Sequence, residues 1–365
     1  MRNEDIVIIY GNDCSKSVNQ LLEYIKIEDQ IKDKNANIVI KPNLLIAQDP
    51  SLGATTHTEI VVEIIEYLQE KGFKNIKIVE SSWIGASTKQ AFKYFGYPQI
   101  SKKYKVPLID VKDDDYETII ENGIKVEISK EIFNCDFLIS VPVLKGHCQT
   151  KITCALKNMK GCISDKNKRM FHNLGLMKPI ATLNKIRTAD LVIVDSLNGD
   201  LDFEEGGNPI ETNRIYACKD SVLCDAFGAS LLGYSVDEVE YIKLAQSYGV
   251  GNSDINRANI INLNNPDSIE ALNNKPKGTV AYLAKYVEAD KACSACYGNL
   301  IHAIKRLNDT NQLFDIKKVC IGQGFKNVEN QTLIGVGSCT RKLGKSLKGC
   351  PPSANEMIKF LLDNN

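Results

Sequence analysis

The stretch "KACSACYGNL" at residues 291–300 sets Cys293 and Cys296 with two residues between them. That spacing serves a redox dithiol, half of a zinc site or half of an iron–sulfur site. A second pair, Cys339 and Cys350, lies in "GVGSCTRKLGKSLKGCPPSANE". Each of the four falls at a predicted element boundary. Cys293 and Cys296 open a helix. Cys339 ends a Gly-rich strand. Cys350 precedes Pro-Pro, after which "SANE" starts the last helix with a capping box. Strand C-termini and helix N-termini converge on one edge of an α/β module, so four thiolates there would share one metal centre. Helix N-terminal amides would offset the charge of a thiolate-bound cluster. A redox dithiol needs a strand before it, and the preceding "KYVEADKA" reads as polar and mostly helical. Structural zinc usually takes two tight knuckles. Gly-Cys-Pro suits the last ligand of an iron–sulfur site. The spacing therefore favours one 4Fe-4S cluster held by Cys293, Cys296, Cys339 and Cys350, with zinc and unrelated core cysteines as the alternatives. Cys320, mid-strand in "KKVCIGQG", reads as core. Arg341, Lys342, Lys345 and Lys348 make residues 341–348 a basic loop, either solvated or an electropositive lip over a site.

The second unusual stretch is "VLKGHCQTKITCALKNMKGC". It follows an apolar run over 135–144, which places Lys145 and His147 at the C-terminal edge of a buried strand, where open α/β sheets bind ligands. From residue 145 to 178 there are eight Lys or Arg and one acid, Asp165. Such a run is a solvated face or an anion pocket. Other strand ends add polar groups: Lys41 and Asn43 after "NIVI", Glu80 with Ser81 and Ser82 after "NIKIV", and Asp195 after "LVIV". Thr56 and His57 precede a helix and can cap it or hold an anion. Lys145, His147 and Glu80 are thus the catalytic candidates. Lys41, Asn43, Thr56, His57, Asn158, Lys160 and His172 are the anion-binding ones. With residues 150–162 read as helical, Cys154, Asn158 and Cys162 share a face. The cysteines of that stretch fit no standard cluster spacing and read as core or pocket-lining thiols.

These residues need a scaffold. Strand-sized apolar runs alternate with amphipathic helices over the first 110 residues, a βαβαβ rhythm that predicts a mostly parallel sheet with helices on both faces. Further strands are expected at 123–130, 135–144 and 189–197. Helices are expected at 150–162, 173–188, 220–232 and 236–248. A smaller C-terminal α/β cysteine-cluster module follows. The predicted organisation is 1–250 main domain, 251–287 connecting segment and 288–365 cysteine module. At 365 residues, 43% hydrophobic and 25% charged, the chain reads as an ordinary globular protein. Lys+Arg and Asp+Glu are both 45, which argues against generic nucleic-acid binding. No apolar stretch approaches 18 residues, so no membrane span is expected. The start has acids at once and no apolar run, so a cytoplasmic location is expected. Twelve cysteines without an export signal point to metal or redox chemistry rather than disulfides.

The blocks "IVIKPNLL", "TTHTEIVVEIIEYLQEKGFKNIKIVESS", "LISVPVLKGHCQTKITCALKNMKGC", "LVIVDSL" and "CDAFGASLLGY", in this order, resemble the family called domain of unknown function 362, over about residues 35–235. Members are commonly described as iron–sulfur proteins, often with a ferredoxin-like cysteine run. This chain carries the dispersed set Cys293, Cys296, Cys339 and Cys350 instead. The family is distantly similar to the nickel-dependent lactate racemase fold, which implies an α/β enzyme with a pocket between lobes. Residues and resemblance together predict an iron–sulfur oxidoreductase or electron-transfer protein, binding a small anionic ligand between its modules and, in the electron-transfer case, a redox partner protein. The alternatives are a non-redox iron–sulfur enzyme (lyase, dehydratase or sulfur-handling) using an open iron as Lewis acid, and a zinc-stabilised binding protein.

Overall fold

A computed structural model of the chain describes residues 1–200, 209–264, 282–292, 294–312 and 318–364. In chain order its strands are β1 (Asp5–Tyr10), β2 (Ile38–Pro42), β3 (Ile76–Glu80), β4 (Leu108–Asp110), β5 (Tyr116–Glu121), β6 (Ile124–Ser129), β7 (Phe137–Val141) and β8 (Lys145–His147). There follow β9 (Lys151–Thr153), β10 (Leu191–Asp200), β11 (Pro209–Cys218), β12 (Asn259–Asn262), β13 (Val287–Ala289), β14 (Val319–Ile321), β15 (Asn330–Val336) and β16 (Leu343–Leu347).

Eight strands form the main sheet in the order β12-β1-β11-β10-β7-β2-β3-β4. From β10 to β4 every pair is parallel, so these strands end on one edge. The period-2 alternation of side chains explains the two cores. Ile6 and Ile8 of β1 and Val39 of β2 enter one; Val7, Ile9, Ile38 and Ile40 enter the other. A strand buried on both faces must be apolar throughout, as "FLISV" of β7 nearly is. The helix Thr58–Glu70 turns Ile60, Val61, Ile64, Ile65 and Leu68 inward, the i, i+4 stripe of a surface helix. Each such side chain contributes about 1.5–3 kcal/mol on burial.

The second module is a four-stranded parallel sheet, β13-β14-β15-β16. The helices Ser294–Asp309 and Ala354–Asp363 close its own core, with Leu300, Ile301, Ile304, Val319, Ile321, Met357 and Leu361. The expected capping box is present: Ser353 Oγ accepts from the Glu356 amide and the Glu356 carboxylate accepts from the Ser353 amide.

Several local expectations change. β11 has no counterpart in the sequence reading. It runs antiparallel between β1 and β10, with Ile6 opposite Cys218. Residues 145–153 form the hairpin β8–β9, so helical structure begins at Ala155, not 150, and tightens to a 3-10 turn over Met159–Cys162. The helices Asp165–Asn173 and Met177–Ile186 replace one expected helix over 173–188. Part of "KYVEADKA" is strand β13, and the basic loop 341–348 is largely edge strand β16. Among the described residues no helix is long and apolar enough to cross a membrane.

Candidate functional site

A cleft of about 590 Å³ opens between the C-terminal edge of the main sheet and the cysteine module. Of the residues singled out in the sequence, Lys41, Asn43, Glu80, Asn158, Lys160, His172, Cys296, Cys339 and Cys350 line it together. Cys293 lies outside the described residues. Lys157, Lys168, Arg169 and the chain's single tryptophan, Trp83, also line the cleft; the sequence reading did not single them out.

The floor is a buried ion pair. Lys41, at the end of β2, sits 2.8 Å from Glu80, at the end of β3. Its ammonium also donates to Asn158 Oδ1 at 3.0 Å and to the Pro42 carbonyl at 3.1 Å, which uses all three of its N–H groups. Glu80 accepts in turn from the Ser81 amide at 2.6 Å, and Asn158 Nδ2 donates to Ser140 Oγ at 2.9 Å. Gly161 is what lets the chain cross this pair. A Cβ there would come 2.2 Å from Glu80 Oε1 and 2.7 Å from Lys41 Nζ.

The basic wall comes from the short helix Ala155–Asn158, the 3-10 turn Met159–Cys162 that follows it, and the helix Asp165–Asn173, which Ser164 caps by accepting from the Asn167 amide. Lys168 is buried and donates to the Ser82 carbonyl at 2.9 Å, with Asp165 at 3.3 Å. It also touches Ser81 Oγ. Burial, the larger influence, holds its ammonium below the usual lysine range, and Asp165 and Glu80 offset only part of that. Lys160 Nζ stands 3.4 Å from His172 Nε2.

The opposite wall carries the thiols. Cys296 is in the first turn of the helix Ser294–Asp309, Cys339 follows β15, and Cys350 precedes the last helix. The Ser338 amide and hydroxyl both donate to the Gly349 carbonyl, at 2.8 and 3.0 Å, which ties the Cys339 loop to the Cys350 loop. Gly337, at φ +92°, brings the same loop against Cys296: a Cβ there would lie 3.2 Å from its sulfur. Two loops and the first turn of a helix thus deliver thiols to one cavity, a donor set that fits a thiolate-bound cluster.

The remaining candidates stand apart from the lining. Thr56 Oγ1 donates to the Val141 carbonyl at 2.7 Å and accepts from the Asn43 amide. Lys145 is buried and donates to the Ala54 carbonyl at 2.6 Å. His147 Nδ1 accepts from the Gln149 and Thr150 amides at 3.0 and 3.1 Å, which puts the neutral ring's hydrogen on Nε2. Next to it, Gln149 reaches the Ala292 carbonyl and Cys148 packs on the second module's core, so this hairpin joins the modules.

His57 bonds Asp195 through both its amide and Nδ1, each at 2.8 Å. Burial pulls its imidazolium down, but the charge of Asp195 and the hydrogen bond to it prevail, and the ring keeps its proton to higher pH than usual. An unfolded histidine loses its proton near pH 6.5. The pair's stabilisation is therefore complete below about pH 6.5 and lost as pH rises through the higher folded value. Melting curves of native protein and His57→Gln should differ by roughly 1–3 kcal/mol at about pH 6, and the gap should narrow as pH rises through the raised folded value. A gap that does not change with pH would mean that the ring stays neutral.

A second set of possible ligands, Cys154, Cys224 and Asp225, is fully buried, with ligand atoms within 4.8 Å of one another. Asp225 already accepts from Tyr241 at 3.0 Å and from the Leu156 amide at 3.3 Å. It caps the helix Ala155–Asn158, which accounts for this group without a metal.

The family described as a domain of unknown function (DUF362) matches residues 38–230. This is more than half of the chain, and the chain belongs to that family. A thylakoid-associated protein of Synechocystis sp. is 27% identical over 156 residues, 43% of this chain and 48% of that protein; the chain thus spans about half the length of this relative. Among solved structures, the lactate racemase apoprotein from Thermoanaerobacterium thermosaccharolyticum aligns with a TM-score of 0.41 at 14% identity, over 58% of this chain and 54% of that one. A protein from Thermotoga maritima aligns with a TM-score of 0.37 at 14% identity, over 65% and 60%. Both likenesses are too remote to bear on activity.

Proposed function

We propose that the chain is an iron–sulfur protein of oxidation–reduction or electron transfer, binding one 4Fe-4S cluster through Cys293, Cys296, Cys339 and Cys350 and a small anion in the cleft beside it. The observation that carries this is the shared lining. Cys296, Cys339 and Cys350 face the same cavity as Lys157, Lys160, Lys168, Arg169 and His172. Such a cluster supplies one-electron transfer. The chain's own residues would hold and orient the anion. Lys160 and Arg169 supply charge, and Thr153, another lining residue, has a buried hydroxyl with no hydrogen-bond partner among the described residues, available to a ligand. Exposed Cys350, with exposed Lys345 and Lys348 nearby in sequence, is where an acidic redox partner would reach the cluster. The same exposure favours the second reading, in which one iron stays open to substrate as a Lewis acid.

Anaerobic purification tests this directly. Brown protein with about four irons and four sulfides per chain, and a reversible one-electron spectrum, is expected; colourless protein with one zinc would sink both readings. Trp83 reports on the anion. Inorganic phosphate or malonate should shift its fluorescence, less so as salt rises, and Lys160→Ala should weaken binding by about 1–3 kcal/mol. Binding indifferent to salt and to Lys160→Ala would return the basic wall to a solvated surface.

A further inference from the structure

Ser81 and Lys168 make a pair that the cluster does not require. Ser81 follows the last residue of β3, and Lys168 lies in the helix Asp165–Asn173. Both are buried and both line the cleft. Lys168 Nζ has three partners: the Ser82 carbonyl at 2.9 Å, Asp165 Oδ1 at 3.3 Å, and Ser81 Oγ. A carbonyl and a carboxylate only accept, but a hydroxyl can donate. An ammonium satisfies all three partners by donating to each, and a neutral amine does so too, giving two N–H bonds and accepting the Ser81 hydroxyl hydrogen on its lone pair. The Ser81 amide is bonded to Glu80 at 2.6 Å, which fixes the residue's backbone.

We infer that Ser81 is a nucleophile and Lys168 its general base, giving the cleft an acyl-transfer activity toward esters or thioesters that carry an anionic end. This is the nucleophile–base arrangement, with lysine in the place histidine usually takes. Burial of Lys168 acts in the same direction, since it favours the uncharged amine. Lys160 and Arg169, on the same wall, supply positive charge for the substrate's anionic end and for the oxyanion that develops at the acyl carbon. In the first step Ser81 Oγ bonds to the acyl carbon as the bond to the alcohol or thiol breaks. Lys168 takes the serine proton and passes it to that leaving group. In the second, water adds to the acyl-serine and gives its proton to Lys168. The acid departs and the proton returns to Ser81 Oγ. Nothing is oxidised or reduced. The inference stands apart from the cluster, and iron content is its independent control. The competing account is a strut, in which charged Lys168 merely holds the end of β3.

The full-length chain, purified with its metal, is treated with a fluorophosphonate probe and with 4-nitrophenyl acetate, and adducts are located by peptide mass spectrometry. Adducts on Ser81 are expected, forming faster as pH rises through a single transition. They should be absent in Ser81→Ala and slowed about 100-fold or more in Lys168→Ala. Lys168→Arg decides between the two accounts. Arginine can still donate to the Ser82 carbonyl and to Asp165 but cannot take a proton. It should keep the native iron content and melting temperature yet label as slowly as Lys168→Ala. Native-rate labelling in Lys168→Arg leaves only the strut and overturns the proposal. So does a native protein whose Ser81 stays unlabelled while it holds its iron.

Discussion

Serine at Cys339 or at Cys350 should take the iron content from about four per chain to below about one. The expectation rests on how the loops meet. The Cys339 loop is bonded to the Cys350 loop through Ser338 and Gly349, and Gly337 sets it against Cys296. Cys296, Cys339 and Cys350 come from three separate segments, so each supplies a ligand from its own direction. A hydroxyl is a harder donor and a poor substitute for a thiolate on iron. Cys296→Ser and Cys293→Ser should behave alike. Serine at Cys14, Cys135 or Cys218 should leave iron unchanged, because these lie away from the cleft lining. Iron and sulfide assays on anaerobically purified variants decide the matter. A full cluster in Cys339→Ser or Cys350→Ser would refute the four-ligand set. Loss of one iron alone in Cys350→Ser would favour the open-iron reading.

The second large effect is on stability. Lys41→Met or Glu80→Gln should each cost about 3–5 kcal/mol, because each leaves an uncompensated charge in a buried place. The 2.8 Å pair has side chains only 1% and 3% exposed, so water cannot take over the lost partner. The cost should not add. Lys41→Met with Glu80→Gln removes both charges together, and the double variant should be no less stable than either single one. Guanidinium unfolding of the four proteins measures this cycle. Single variants within about 0.5 kcal/mol of native would show that the floor of the cleft is hydrated and that its charges are worth little.

The parallel half of the main sheet is legible in the sequence because burial on both faces makes β2, β7 and the first residues of β10, "LVIV", nearly uninterrupted apolar runs. β11 is not, because its first half, "PIETN", alternates exposed and half-buried positions and reads as a polar loop. The hairpin β8–β9 has strands of three residues, too short for a period of 2 to show against one of 3.6. β16 carries Gly344 and Lys345, and an edge strand protected by charge resembles a loop. The site was partly legible for a simpler reason. A polar residue directly after a buried strand has few places to be except the sheet edge, and Lys41 and Glu80 are there. Which edge residues face the cleft depends on how the hairpin and the second module fold over them. Thr56, His57, Lys145 and His147 therefore look like Lys41 in sequence but point into other bonds. Trp83 and Lys168 carried no signal of their own, one being a lone aromatic and the other one cation among eight.

The antiparallel strand between β1 and β10 also sets a clock on synthesis. Ile6 waits for Cys218, 212 positions later (218 minus 6). At ribosomal rates that is about 10–40 s. Until then "DIVIIY" has neither its pairing partner nor the second face of its sheet, and it presents four apolar side chains on an open strand edge. The nascent chain is exposed to mispairing and to chaperone capture over that interval. Fragments released before residue 218 should aggregate through this strand, while β2, β3, β4 and β7, all complete by Val141, can already pair with one another as they emerge.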